Sequence, residues 1–471
     1  MLKFPIIKRN KSLFILSIPV IITFFITLIP TLKYQWPLSW DVYYHVHMAK
    51  LYMEVGITFF DPLTFAPYGR PIFYPPLLHY FIAFSSLILK SDPFLIARLL
   101  QPFLASLIVL SFSYAANKLY NLYTGVFAGF LLMFSVPYFR FMLPIPEGMA
   151  LILFPMVIYY YFTAIENNNY KMAIISGILS GLILLTHSLT ALCLLFVLAV
   201  YTLIIKINRK GNLKIFGLLL IPMLILASIW WIPLVIMHGF IFNNPEGVIL
   251  PLTAYVKFFG IITIIFALIG CFLAFKRRLN KDILILSGGI SLILLSQIYW
   301  LGISILSDRI LTFSIFFIVI LAACGLLNIR KYINKNMYRA LVFIIIFFAV
   351  FSGVTGANNL APFINSEELD ISQWFKINGD KERVVITSNY EMDPLIVSIS
   401  RQPVSEGGYG PGSIQGLNKK KYLSGNFSYS DVINDNVGYI VLELNMTTPN
   451  NTIPIYSNTK YKICIIDLKK I

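Results

Sequence analysis

Residues 39–80 read SWDVYYHVHMAKLYMEVGITFFDPLTFAPYGRPIFYPPLLHY, from Ser39 to Tyr80. Acids, histidines, tyrosines and prolines crowd this stretch between two long apolar runs, and no bilayer span can absorb it. On either side, apolar runs near the ~20-residue length of a membrane helix recur as far as residue 357. Of 471 residues, 58% are hydrophobic and 12% charged, with a mean hydropathy of +0.77; globular chains carry about a quarter charged residues. These features define a polytopic α-helical membrane protein, since a helix satisfies its own backbone in hydrocarbon. The net charge of +16 fits Lys and Arg on cytoplasmic loops, so no nucleic-acid partner is inferred. Three cysteines (Cys193, Cys271, Cys324) lie in apolar runs and Cys464 near the end, with no metal-ligand spacing or disulfide framework.

Charge sets the expected topology. The basic start, MLKFPIIKRNKS, precedes a first span at Leu13–Leu32 that is read as retained, and the first outer loop covers residues 33–93. Within that loop, Pro75–Leu89 is apolar but short and opens on two prolines, so it is read as an interfacial helix. Ten further spans follow at Phe94–Ala116, Tyr123–Tyr138, Gly148–Ala164, Met172–Thr186, Leu189–Ile205, Leu213–Met237, Phe258–Phe275, Ile283–Leu301, Ile310–Leu327 and Ala340–Gly356. Three basic clusters then fall inside: Lys206/Arg209/Lys210/Lys214, Lys276/Arg277/Arg278/Lys281 and Arg330/Lys331/Lys335/Arg339. The expectation is a multi-pass cell-membrane protein of about eleven spans, N-terminus cytoplasmic, with residues 1–357 forming the transmembrane domain. Residues 358–471 turn polar and form a small extracytoplasmic α/β domain. Its expected strands are Arg383–Thr387, Gly438–Glu443 and Lys462–Asp467, and its expected helices Glu367–Ile377 and Ser428–Ile433. Sequons at Asn426, Asn445 and Asn450 are compatible with exposure there.

In this topology Asp41, His45, Glu147, His187 and Arg309 all stand at outer ends of spans. Ionisable groups at that boundary are expensive, about 2.5–3.5 kcal/mol each if carried to the bilayer centre, so their convergence points to chemistry. Ser39 is a good N-cap and Gly56 a good stop, which predicts a helix over Trp40–Val55 with Asp41 and His45 on one face. Asp41 is either a general base or hard-cation ligand beside His45, or an acid complementing the helix dipole. Asp61 in FDPL is read as an Asx turn, and Arg70 and Tyr74 of the same loop as substrate-binding. Glu147, behind two prolines, either complements a helix N-terminus or binds a metal or substrate hydroxyl. Asp41 and Glu147 together would suit Mg²⁺ or Mn²⁺. His187, at the tip of LLTHSLTAL, is structural or substrate-binding. Arg309 either pairs with Asp308 or snorkels, or clamps a phosphate or pyrophosphate with its planar fork. The string Glu406–Gly416 is Gly-rich but lacks a strand–turn–helix context and is read as a loop.

At these residues the chain resembles the GT-C fold membrane glycosyltransferases, particularly the catalytic subunit of oligosaccharyltransferases. The match rests on WDVYYHVHMAKLYMEVG followed by FDPLTFAPYGRPIFYPPLLHY. In that family an acid opens the first outer loop and a "YPP" segment leads into a juxtamembrane helix. The resemblance implies that Asp41 is the first-loop catalytic acid, Glu147 the second acidic motif and Arg309 the late arginine facing a lipid-linked donor. It implies a polyprenyl-phosphate or polyprenyl-pyrophosphate sugar donor, a lipid, glycan or protein acceptor, and often a divalent cation. The family's WWDYG motif has no counterpart; the comparable stretch reads SNYEMDPLIVSISRQP. The expected function is sugar transfer at the outer membrane face. Its rivals are oligosaccharide transfer to protein, or a transporter-like or non-catalytic protein for lipid-linked intermediates.

Overall fold

Helices cover most of each apolar segment expected to span. In chain order the helices are α1 (Pro5–Lys33), α2 (Asp41–Val55), α3 (Leu77–Leu89), α4 (Pro93–Leu119), α5 (Leu122–Leu132), α6 (Val136–Arg140), α7 (Pro146–Glu166), α8 (Tyr170–Leu184), α9 (Ser188–Arg209), α10 (Leu213–His238), α11 (Tyr255–Phe259), α12 (Ile261–Arg277), α13 (Asn280–Leu295), α14 (Ser307–Ile329) and α15 (Lys335–Asn359). The computed structural model describes residues 5–209, 212–240, 247–408 and 415–469. Lys210 of the first basic cluster, residues 1–4 of the basic start and residues 409–414 of the Gly-rich string lie outside the described residues. Among the described residues, seven helices are long and apolar enough to cross a membrane, or up to eight if a bent pair counts as one. That pair, Leu252–Phe259 and Ile261–Arg277, turns through 103° at Gly260, whose φ is +82° and whose added Cβ would lie 2.6 Å from the Phe134 carbonyl. The continuous span expected over Phe258–Phe275 is therefore broken there. The span expected over Tyr123–Tyr138 is likewise divided, α5 ending at Leu132 and α6 starting at Val136.

The chain forms two compact units. The first comprises Met1–Gln35, Leu99–Trp230 and Asn244–Leu360. Its centre is α14, buried around most of its circumference, with Phe313, Phe316 and Phe317 all inside. Small residues let α12 approach it: a Cβ on Gly270 would fall within the Leu321 carbonyl, and one on Gly325 within the Phe266 carbonyl. Gly270→Val is expected to force these backbones apart at a cost of about 1–3 kcal/mol, read as a lower melting temperature in detergent.

This helical unit has two chemically different ends. At one, Asp282 accepts from Tyr120 Oη at 2.7 Å and from Arg277 Nη2 at 2.8 Å, and Asn280 donates to Glu166 at 2.8 Å. At the other, Arg309 reaches Glu147 and Ser307 donates to the Ser296 carbonyl at 2.7 Å. The Lys276–Lys281 cluster thus sits at the opposite end of α12 and α13 from the candidate chemistry.

The second unit comprises Trp36–Arg98, Trp231–Asn243 and Ala361–Ile471. A division at 357/358 alone misses that the loop around Ser39–Tyr80 packs with the C-terminal residues. Short strands β1 (Phe60–Asp61) and β2 (Arg70–Pro71) pair within the loop. Beyond residue 360 come α16 (Ser366–Asn378), β3 (Val384–Thr387), α17 (Met392–Ser400), α18 (Lys419–Leu423), α19 (Tyr429–Asp435), β4 (Val437–Glu443), β5 (Thr452–Ser457) and β6 (Tyr461–Ile466). The sheet order is β3-β4-β6-β5, with β3 parallel to β4 and the other pairs antiparallel. One face packs on Ile371, Phe375, Ile396 and Val397 of α16 and α17; the other carries Tyr422, Phe427 and Val432. The expected strands and helices are all present. β5, α17 and α18 are additional: β5 is an edge strand carrying Pro454 and a bulge, and edges and bulges are sheet positions that tolerate proline.

The interfacial segment is α3, thirteen residues and so about 20 Å long, short of a hydrocarbon core of ~30 Å. It buries Leu78, His79, Ile82 and Ala83 and exposes Phe84, Leu87 and Ile88.

Candidate active site

Each unit holds one cluster of the expected residues. In the second unit, α2 starts at Asp41, where Ser39 accepts a hydrogen bond from the Asp41 backbone at 3.3 Å. Ser39 therefore caps the helix from one position further out than an ordinary N-cap, and has φ of +80°. Asp41 is partly exposed in the first turn. His45, one turn on, is buried: its Nδ1 lies 2.9 Å from Nε2 of His79, and the two rings stack. Tyr74 packs on His45 with ring centroids 5.2 Å apart, and Tyr44 lies against both. Arg70 is also buried. Its guanidinium covers Tyr44 and donates to the carbonyls of Gly407 at 3.2 Å and Gly408 at 3.4 Å. His45, Arg70 and Tyr74 are thus gathered around Tyr44, and Arg70 holds the start of the Gly-rich string.

Behind this aromatic group lies a network that the sequence reading did not find. His47 Nδ1 accepts from Arg401 at 2.6 Å, which leaves Nε2–H to donate to Asp61 at 3.0 Å. Burial pushes the His47 imidazole below its ordinary value in spite of Asp61, so this is a neutral histidine of fixed tautomer. Burial alone would lift the Asp61 carboxyl; His47, the nearby Arg70 guanidinium and the Thr64 hydroxyl outweigh it and hold the group well below the carboxylate range. Asp61 also accepts from the Leu63 backbone at 3.0 Å, so the Asx turn is present and carries a buried anchor as well. Through this network and the Thr64–Val404 bridge, α2 and the first loop are fixed to the C-terminal segment. Trp40 adds a bond from Nε1 to the Glu391 carbonyl at 2.9 Å, within the stretch SNYEMDPLIVSISRQP.

Asp393 in that stretch is fully buried, accepting from Thr387 at 2.5 Å and from the Glu406 backbone at 2.8 Å. Burial raises its carboxyl to about 7. Between its ordinary value and 7 the folded state holds a proton that the unfolded state has lost. Its stabilising contribution is therefore complete below the ordinary value and is lost as pH rises through about 7. Asparagine mimics the protonated form at every pH. Asp393→Asn is expected to melt higher than the parent at about pH 8, the gap closing towards about pH 4, as thermal scans across pH would register.

In the first unit, the turn after α6 reverses the chain through Pro144 and Pro146. It brings Arg140 back onto Glu147, with Nε to Oε1 at 2.6 Å and Nη2 to Oε2 at 3.0 Å. Arg309, in the first turn of α14, donates from Nη1 to the same Oε2 at 3.0 Å and lies 3.8 Å from Asp308. The Glu147 side chain is 2% exposed, against 19% for Arg140 and 26% for Arg309. One buried carboxylate pins two partly exposed guanidiniums, cations whose planar forks suit an oxyanion. Arg140 was legible only as the basic residue seven places before Glu147. His187 caps α9, its Nδ1 accepting from the Thr190 backbone at 3.3 Å, and its ring lies near Phe313.

The carboxylates expected to hold Mg²⁺ or Mn²⁺ are divided between the two units, Asp41 in the second and Glu147 in the first. Both Glu147 oxygens already face guanidiniums, which would repel a cation placed beside them. Among the described residues no group of three or more His, Cys, Asp or Glu is placed to hold a metal ion.

This combination of a helical unit with a loop-plus-sheet unit is the GT-C fold. No protein-family model and no curated protein sequence matches the chain, but solved structures do. The oligosaccharyltransferase of Archaeoglobus fulgidus in its apo form superposes with a TM-score of 0.70 at 13% identity, over 94% of this chain and 71% of its own. ArnT of Cupriavidus metallidurans in the apo state matches at 0.68 and 12% identity, over 97% of this chain and 98% of its own. The mycobacterial arabinofuranosyltransferase AftD matches at 0.62 and 13% identity, covering 97% of this chain and 40% of its own. ArnT has also been solved with undecaprenyl phosphate. The archaeal enzyme has been solved with an inhibitory peptide and a dolichol-phosphate, and with Zn and sulfate.

Proposed function

We propose that this protein is a membrane glycosyltransferase that moves a sugar from a polyprenyl-phosphate or polyprenyl-pyrophosphate donor to an acceptor at the outer face. Orientation follows the basic clusters: the Lys276–Lys281 end of the helical unit faces the cytoplasm, so its Arg140–Glu147–Arg309 end faces outward. In this reading Asp41 takes the proton of the acceptor nucleophile as it attacks the anomeric carbon. The carbon–oxygen bond to phosphate breaks, and the leaving phosphate is held by Arg309 with Arg140. Glu147 positions both guanidiniums, while His45, Arg70 and Tyr74 shape the wall beside Asp41. The observation that carries the reading is the pinned pair of guanidiniums on a fold whose solved neighbours include one bound to undecaprenyl phosphate and one bound to a dolichol-phosphate.

The test is transfer from radiolabelled polyprenyl-phosphate sugars in membranes containing the protein. Product formation that disappears in Asp41→Asn supports the proposal; equal turnover in the variant discards it. Oligosaccharide transfer to an asparagine is the second reading, favoured by the archaeal neighbour, and a sequon-bearing peptide offered with lipid-linked oligosaccharide separates the two.

A further inference from the structure

Arg309 lies in the first turn of α14, and the start of that helix is fastened from outside. Ser307, fully buried, donates its hydroxyl to the Ser296 carbonyl at 2.7 Å and its backbone N–H to the Val248 carbonyl at 3.0 Å. Both bonds satisfy groups that helix ends leave open, an N–H at the start of α14 and a carbonyl just past α13. Val248 in turn donates to the Ile305 carbonyl at 2.9 Å. The segment before α11 is thereby stitched to the loop that leads into α14.

Gln297 locks the stitch. Its Nε2 donates to the Leu250 carbonyl at 3.1 Å and to Tyr255 Oη at 2.6 Å. Its Oε1 accepts from Tyr299 Oη and Trp300 Nε1, both at 3.2 Å. Two donors and two acceptor sites are all that an amide has, and an indole N–H can only donate, so the orientation is determined. Ser296 Oγ donates to the Ile293 carbonyl at 2.7 Å, which leaves Tyr255 to donate to Ser296 Oγ at 2.6 Å. The bonds therefore run one way, from Gln297 through Tyr255 and Ser296, and each polarises the next.

Arg309 must cross from α14 to Glu147 on α7, with Nη1 3.0 Å from Oε2. Where its guanidinium falls depends on where α14 begins, and a binding group performs only when held within about 0.5 Å. We propose that Ser307 and Gln297 are positioning residues for Arg309: they set the start of α14 so that one guanidinium meets Glu147 and a donor phosphate together. This rests on the donor-phosphate role given to Arg309 above.

The test measures undecaprenyl phosphate binding to the full chain in detergent, and the Michaelis constant for labelled donor in membranes. Ser307→Ala should weaken both about fivefold, the share of one hydrogen bond, with turnover at saturating donor unchanged. Ser307→Thr keeps the hydroxyl and should restore wild-type values. Gln297→Glu sets a carboxylate against the Leu250 carbonyl and should weaken donor binding as well. In an Arg309→Gln background, Ser307→Ala should cause no further loss, because the residue it positions is gone. Wild-type binding by Arg309→Gln overturns the donor reading and this inference with it. If Arg309→Gln binds weakly but Ser307→Ala is harmless, or is equally harmful with and without Arg309, only the positioning role falls. Should Ser307→Ala fail to fold, the same comparison made with Gln297→Glu decides.

Discussion

Asp41→Asn should lower sugar transfer in membranes by about 10²–10⁴-fold, the usual contribution of a positioned general base, without lowering expression or melting temperature. The substitution keeps shape. The bond that caps α2 uses the Asp41 backbone and the Ser39 hydroxyl, so it survives the loss of charge, and the side chain is only partly buried. The rival role for Asp41, an acid stabilising the helix N-terminus, has the opposite signature. A first-turn charge is worth about 0.3–1 kcal/mol, so its removal would nudge the melting temperature and leave turnover intact. Activity and stability measured on the same preparation therefore separate catalysis from capping.

Helix existence was legible in the sequence because most of the apolar runs approach a bilayer in length. What was not legible is local geometry. Gly260 breaks a run that hydropathy treats as continuous, because a backbone turn leaves no trace in apolarity. β5 was missed because an edge strand with Pro454 tolerates the residue that argues against a strand elsewhere. At the site, Glu147 and Arg309 stood out because membrane ends rarely carry charge, and they do meet. Their mutual pairing with Arg140 could not be read off, since it depends on a turn of seven residues and on a helix more than 160 positions away. The same holds for His47, Asp61 and Arg401. His47 and Asp61 lie within the stretch first singled out, but only the fold shows that they anchor it rather than act.

Glu147→Gln carries the second large expected effect, on stability as well as activity. The carboxylate is buried with a guanidinium on each oxygen; a neutral amide leaves two cations facing each other with one compensating group gone. Breaking a buried pair from one side costs about 3–5 kcal/mol, and the partial exposure of Arg140 and Arg309 places this case at the lower end, about 3 kcal/mol. Released from its anchor, Arg309 should bind donor phosphate less well, so the Michaelis constant for donor rises more than that for acceptor. If Glu147 instead contacts an acceptor hydroxyl, turnover falls while the donor constant and the melting temperature stay near those of the parent. Arg140→Gln sharpens the distinction. It leaves Glu147 and Arg309 paired, and removes two of the three arginine hydrogen bonds to the carboxylate. In the anchoring account the double variant Arg140→Gln/Glu147→Gln is less damaged than the sum of its parts, because the second change removes an imbalance the first created. Strict additivity in melting temperature and donor affinity would mean that the two residues act independently, and the pinned-guanidinium account of donor binding would fall with it.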